Sequence, residues 1–318
     1  MSSRNNLRIV ILTGYGPRLV NPLLAAGLNV VGLMEPESYY RREGKLKRFL
    51  KAILNLLRFR AGEQTLESIA RQKGIEFLDF ETASATEKAE WLRAQNPDLL
   101  VVYRAPILGS DLLGIPTHGV LNLHPSLLPR YRGGHPLLWM AASMDLGGGV
   151  TVHFIDEKID RGDVVAQANF PITAGMPEGQ IEKIAVETYG IPLMLQGIED
   201  ISRGTVSRQP QPAESPTPAA RRVSDEQYWQ MIEWTNWSIE HAWHFLRCTQ
   251  KWQSRIPEEE FRPYAVYRIG DFEPGTNTEG FGEFRRDTNG LYIVHPQGKI
   301  RIRTKISPVK MLKTFLRF

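Results

Sequence analysis

Within the stretch Leu121–Asp163, LNLHPSLLPRYRGGHPLLWMAASMDLGGGVTVHFIDEKIDRGD, three residue types combine into a plausible chemical kit. Asn122 offers an amide donor, His124 a base with a pKa near neutrality, and Asp160 a carboxylate. Such a set suits acyl transfer to an amine. The amide and an imidazolium can hold the oxyanion of a tetrahedral intermediate. The carboxylate can orient the histidine, raise its pKa, or relay a proton through water.

Three strands must position these groups. Leu99-Leu100-Val101-Val102 follows Pro97-Asp98 and reads as a buried parallel strand. Gly119–Leu123 is a second short strand, and alternation puts Asn122 and His124 on one face of it. Pro125 ends that strand, so the pair sits at a C-terminal strand end, where open α/β sheets collect their sites. Val150–Ile155 is a third strand, leading into the loop Asp156–Gly162, whose Asp160 can return to the same edge.

The motifs H-P-S-L-L-P with an R-G-G stretch, then G-V-T-V-H and I-D-R-G-D, resemble the formyltransferase family that uses 10-formyltetrahydrofolate. That family includes glycinamide ribonucleotide transformylase, methionyl-tRNA formyltransferase and the amino-sugar formyltransferases. Its catalytic trio of Asn, His and Asp falls on Asn122, His124 and Asp160. The match covers roughly residues 8–205, with Asn122–Asp163 the specific part. The resemblance implies that Arg104, Ala105, Pro106, Ile107 and Leu108 form one loop of the pterin pocket. Ile155, Asp156, Glu157, Lys158 and Ile159 form the other.

The same resemblance implies 10-formyltetrahydrofolate as co-substrate. No Cys/His cluster has ligand spacing, so no metal is expected. The acceptor is expected to be a small phosphorylated amine, an amino-sugar nucleotide. Initiator methionyl-tRNA is the alternative. A C-terminal domain and basic clusters favour tRNA. Against it, Pro125 stands where the tRNA enzymes usually have Gly, and the basic segment lacks their Gly-Arg-Gly-Lys pattern. A non-catalytic folate- or RNA-binding module is a third class, opposed by the intact trio.

The chain has 318 residues, enough for two domains, and carries a net charge of +4. Its one cysteine, Cys248, fits a reducing compartment and reads as a helix-packing residue. No signal peptide and no transmembrane span is expected, which points to the cytoplasm. Assembly as a homodimer stays open. Positive charge is concentrated in Arg41–Arg60, with eight basic residues and one acid, and in Lys299–Phe318, with seven and none. Leu46, Leu50, Ile53 and Leu57 give the first cluster an apolar helical stripe. It reads either as a helix docking on the core or as a basic clamp for phosphate or a membrane surface.

Strand and helix alternation from Leu7–Thr13 through about residue 205 predicts a Rossmann-like, doubly wound parallel sheet. Gly14-Tyr15-Gly16-Pro17 is a turn without the dinucleotide fingerprint, so no NAD site is expected. Met176–Asp200 reads as a helix with a bend at Pro192. Residues 1–207 form the expected catalytic domain and Arg208–Ala220 an extended Pro-rich linker. Residues 221–318 form the expected C-terminal helix plus a small mainly-β, barrel-like domain. Gly133-Gly134 is expected to permit close backbone approach. His135 has no assigned role, His153 reads as structural, and Arg130 and Arg132 as solvated or as contacts to an acceptor phosphate.

Overall fold

The apolar runs become the middle of a seven-stranded sheet in the computed structural model, which describes residues 6–36, 64–262 and 265–306. The segment 41–60, with its apolar stripe, and tail residues 307–318 lie outside the described residues. The strands are β1 (Ile9–Thr13), β2 (Val30–Glu35), β3 (Glu76–Asp79), β4 (Leu99–Tyr103), β5 (Val120–His124), β6 (Gly147–Phe154) and β7 (Val164–Pro171). Their order is β3-β2-β1-β4-β5-β6-β7.

From β3 to β5 neighbouring strands are parallel, as expected of a doubly wound sheet. Every residue of β1 and of β4 is buried, which explains why these strands read as unbroken apolar runs. The sheet then departs from a wholly parallel plan, because β6 runs antiparallel to β5. This pairing sets Asn122 opposite His153 and His124 opposite Thr151.

The crossover helices begin on side-chain caps that the sequence supplies locally. Thr65 accepts from the Ser68 backbone N–H ahead of helix Leu66–Lys73, and Ser84 from that of Glu87 ahead of helix Ala85–Ala94. The expected helix with a break at Pro192 resolves into α-helix Glu178–Lys183, a π-helical turn Ile184–Gly190, and α-helix Ile191–Ser202. Pro192 sits in the first turn of the last piece, where its missing N–H costs nothing. The Ile191 N–H reaches five residues back to the Val186 carbonyl, closing the wide turn.

Internal contacts divide the chain into two units. One comprises residues 1–132, 149–169 and 183–216, and the other residues 133–148, 170–182 and 217–318. The Pro-rich stretch is extended, with a single bridge between Gln209 and Val164. In the second unit the helix Ile239–Thr249 buries Cys248, whose thiol pKa is pushed up by that burial. This fits the packing role expected of it. Strands β8 (Ala265–Pro274), β9 (Phe284–Asp287), β10 (Gly290–His295) and β11 (Gly298–Ile306) form an antiparallel sheet, ordered β8-β11-β10-β9. Gly133 lies against Ala220, whose carbonyl accepts from the His135 N–H at 2.9 Å just before helix Pro136–Ala142. No described helix is long and apolar enough to cross a membrane.

Candidate functional site

Strand β5 delivers Asn122 and His124 to its C-terminal end on one face, and β6 lays Thr151 and His153 beside them. Asp160 comes back to the same edge on the loop after β6. Its carboxylate oxygens lie 3.7 Å from His124 Nδ1 and 3.6 Å from His153 Nε2. The structure thus brings together all three residues of the expected trio. It adds a fourth, since Asn122 Nδ2 lies 3.0 Å from His153 Nε2.

Hydrogen bonds fix the ring protons. His153 Nδ1 is 2.8 Å from the Phe154 carbonyl, so Nδ1 carries the hydrogen and Nε2 accepts from the Asn122 amide. One amide N–H of Asn122 is spent on this bond and the other remains to donate. Burial holds His153 down to a pKa of about 4, against a smaller upward pull from Asp160, and keeps its ring neutral near pH 7. His124 Nε2 donates to the Tyr131 carbonyl at 3.1 Å, which leaves Nδ1 on the side of Asp160. Tyr131 and Asp160 both have left-handed backbones, with φ of 55° and 52°. Such conformations are costly for residues with a Cβ and cluster at functional sites.

Sequence reading gave His153 only a structural part. What it lacked was the antiparallel register of β5 and β6, which pairs this ring with Asn122. Arg132 departs from both readings offered for it. It is buried, and its guanidinium donates to the Gln211 side-chain oxygen at 3.2 and 2.8 Å, to the Pro212 carbonyl at 2.8 Å and to the Ala213 carbonyl at 3.2 Å. It is therefore committed to the Pro-rich stretch. Arg130 lies over the Tyr131 ring, 5.5 Å from its centroid.

The two loops expected to hold a pterin begin on one core cluster. Leu108 belongs to it and Ala105 and Ile155 pack against it, beside Val102 and Val120. Each loop then presents a large apolar side chain to solvent, Ile107 at 83% exposure and Ile159 at 57%. Arg104, Pro106, Asp156, Glu157 and Lys158 are exposed beside them.

A family model described as formyl transferase matches residues 58–190. Methionyl-tRNA formyltransferase of Listeria monocytogenes is 30% identical over 245 residues, 76% of this chain and 76% of that protein. Its namesake from Marinobacter nauticus is 25% identical over 296 residues, 92% of this chain and 89% of that protein. Among solved structures, an N-formyltransferase of Helicobacter canadensis, in complex with folinic acid and dTDP-3-aminofucose, shares the fold. Its TM-score is 0.57 at 14% identity, over 94% of this chain and 99% of that one.

Two expectations follow from the geometry. Gly162 closes the Asp160 loop where a Cβ would collide with the Phe154 carbonyl. Gly162→Ala should therefore destabilise the protein by about 1–3 kcal/mol in urea unfolding, as overpacking does. A variant as stable as the parent would show that the loop relaxes freely. His153 has a folded pKa of about 4, below the ordinary histidine value, so its contribution to stability is fully present above about pH 6.5. It is lost as pH falls toward 4. His135 and His244 are also held near 4 by burial and act with the same sign, so the diagnostic quantity is a difference. Urea midpoints between pH 7 and pH 4 should fall less steeply in His153→Gln than in the parent. Parallel curves would exclude the buried neutral ring.

Proposed function

The chain belongs to the formyltransferase family, enzymes that transfer formyl groups, and we propose that it moves one from 10-formyltetrahydrofolate to the amine of an amino-sugar nucleotide. The observation that carries the reading is the convergence of the Asn122, His124 and Asp160 side chains around His153 beside β5. Those loops, Arg104–Leu108 and Ile155–Ile159, would hold the pterin by apolar cover and backbone groups.

In the proposed reaction the acceptor amine attacks the formyl carbon, and the carbonyl oxygen takes up the negative charge. The remaining N–H of Asn122 and the ring of His124 stabilise that oxyanion. His153 holds the Asn122 amide in its donating orientation. The carboxylate of Asp160 orients His124 and accepts the amine proton through water. Collapse of the intermediate breaks the bond to N10 of the folate, which leaves as tetrahydrofolate after gaining a proton.

Charge pairing on the C-terminal sheet supports the small acceptor. On the C-terminal sheet Arg286 is mated to Glu260, Lys299 to Asp287, Arg301 to Glu273 and Asp287, and Arg303 to Asp271. Exposed pairs of this kind are individually weak, but they leave little uncompensated positive charge on that sheet for a polyanion. The second reading, initiator methionyl-tRNA, is favoured by the relatives at 25–30% identity that bear that name. Either acceptor would place the enzyme in the cytoplasm.

Turnover is tested by tetrahydrofolate release, and folate binding by thermal stabilisation with 5-formyltetrahydrofolate. His124→Ala and Asp160→Ala should lose turnover by orders of magnitude and keep the thermal shift. Asn122→Ala should raise the barrier by about 2.7–4 kcal/mol, the worth of one oxyanion donor. Near-normal turnover by His124→Ala, or no stabilisation of the parent by the folate, would sink the mechanism.

The acceptors are separated by salt. A complex with tRNA loses affinity on a log–log plot with a slope of roughly −0.7 to −0.9 per phosphate neutralised, whereas a sugar nucleotide gives a shallow slope. We expect turnover of dTDP-3-aminofucose or a related nucleotide with shallow salt dependence. Efficient formylation of initiator methionyl-tRNA with a steep slope would promote the second reading.

A further inference from the structure

We propose that Gln211, in the Pro-rich stretch that reads as a linker, is a positioning residue of the active site, clasping the Asp160 loop to the loop that anchors His124. The inference rests on the reading of Asp160 and His124 as the groups of formyl transfer.

The Gln211 side chain is fully engaged. Its amide nitrogen donates both hydrogens, to the Asp160 carbonyl at 3.1 Å and to the Gly162 carbonyl at 2.7 Å. Its oxygen accepts two bonds from Arg132, from Nε at 3.2 Å and from Nη2 at 2.8 Å. Only a primary amide meets carbonyl acceptors on one side and a guanidinium on the other, so the amide orientation is fixed. Arg132 directly follows Tyr131, whose carbonyl holds His124 Nε2. One side chain therefore ties the backbone of the acid-bearing loop to the backbone that holds the histidine.

The surrounding stretch is fastened on both sides of this clasp. Gln209 and Val164 exchange backbone hydrogen bonds of 2.9 Å, and the Arg208 guanidinium lies over the Phe154 ring at 3.6 Å. Ser215 Oγ donates to the Pro129 carbonyl at 2.7 Å. The prolines lower the entropy lost in holding such an extended strap. Asp160 needs an external hold because its backbone is left-handed, and its carboxylate stands just beyond hydrogen-bond distance of both rings. A small displacement of this loop changes which of them it serves.

The test compares the parent, Gln211→Leu, Gln211→Glu, Asp160→Asn and Ser215→Ala, each as the full chain. Gln211→Leu removes all four bonds. Gln211→Glu keeps the Arg132 partner and sets a carboxylate oxygen against the Asp160 and Gly162 carbonyls, so it serves should the leucine variant not fold. Two readouts are taken: tetrahydrofolate release from 10-formyltetrahydrofolate with dTDP-3-aminofucose and, separately, initiator methionyl-tRNA; and the imidazole nitrogen resonances of His124 and His153 in the free protein. Both Gln211 variants should lose about 100-fold in kcat with KM little changed, the scale of a misplacement of about 1 Å. Their His124 and His153 resonances should move in the same sense as in Asp160→Asn. Ser215→Ala, which loosens the strap away from the clasp, should lose stability and keep both kcat and the ring resonances.

Parent-like kcat and unmoved rings in the Gln211 variants would overturn the proposal. If the parent turns over neither acceptor, the acceptor reading fails instead, and the ring resonances alone decide the role of Gln211. Equal loss of kcat in Ser215→Ala would reduce the strap to a structural element and overturn the specific part given to Gln211.

Discussion

The hydrogen bond from the Asn122 amide to His153 Nε2 is the constraint on which the site depends. It can exist only because β6 reverses direction against β5 and sets the two residues opposite each other. It works only while His153 is neutral, and burial in the sheet ensures that. A buried ring that cannot be charged near neutral pH is a steady acceptor, so the Asn122 amide has one orientation. The Asn122 amide, the proposed oxyanion donor, is thereby aimed by the interior of the protein, whereas Asp160 is carried on a loop.

This division accounts for what was legible in the sequence. Strands β1, β4 and β5 declared themselves through apolar runs bounded by turns, and the spacing of Asn122 and His124 put both on one face. Pro192 drew attention to an irregular stretch, although the helix runs on through it and the π-helical turn before it depends on a hydrogen bond that no periodicity displays. His153 was missed as a partner, because strand direction is a property of pairing and not of the strand's own pattern. Arg132 and Gln211 were illegible for another reason. Their bonds join residues 79 apart, and a proline-rich composition reports the stiffness of a segment without reporting what it lies on.

Exposure also sorts the binding groups. Ile107 and Ile159 would ordinarily be counted as scattered surface residues, of which every protein has some. Both stand on loops that pack other residues, Ala105, Leu108 and Ile155, into one core cluster. The C-terminal sheet shows the converse pattern. Arg286, Arg301 and Arg303 each meet a carboxylate there, which reduces the positive field that the basic composition would suggest.

The clasp formed by Gln211 has a consequence in time as well as in space. It spans 51 residues to Asp160, so at a synthesis rate of 5–20 residues per second it emerges about 3–10 s after the acid. During that interval the nascent chain carries Asn122, His124, His153 and Asp160 but lacks the hydrogen bonds that tie their loops together. The order of residues along the chain therefore makes the arrangement of the acid loop a late event in the life of each molecule, completed from a segment with no chemistry of its own.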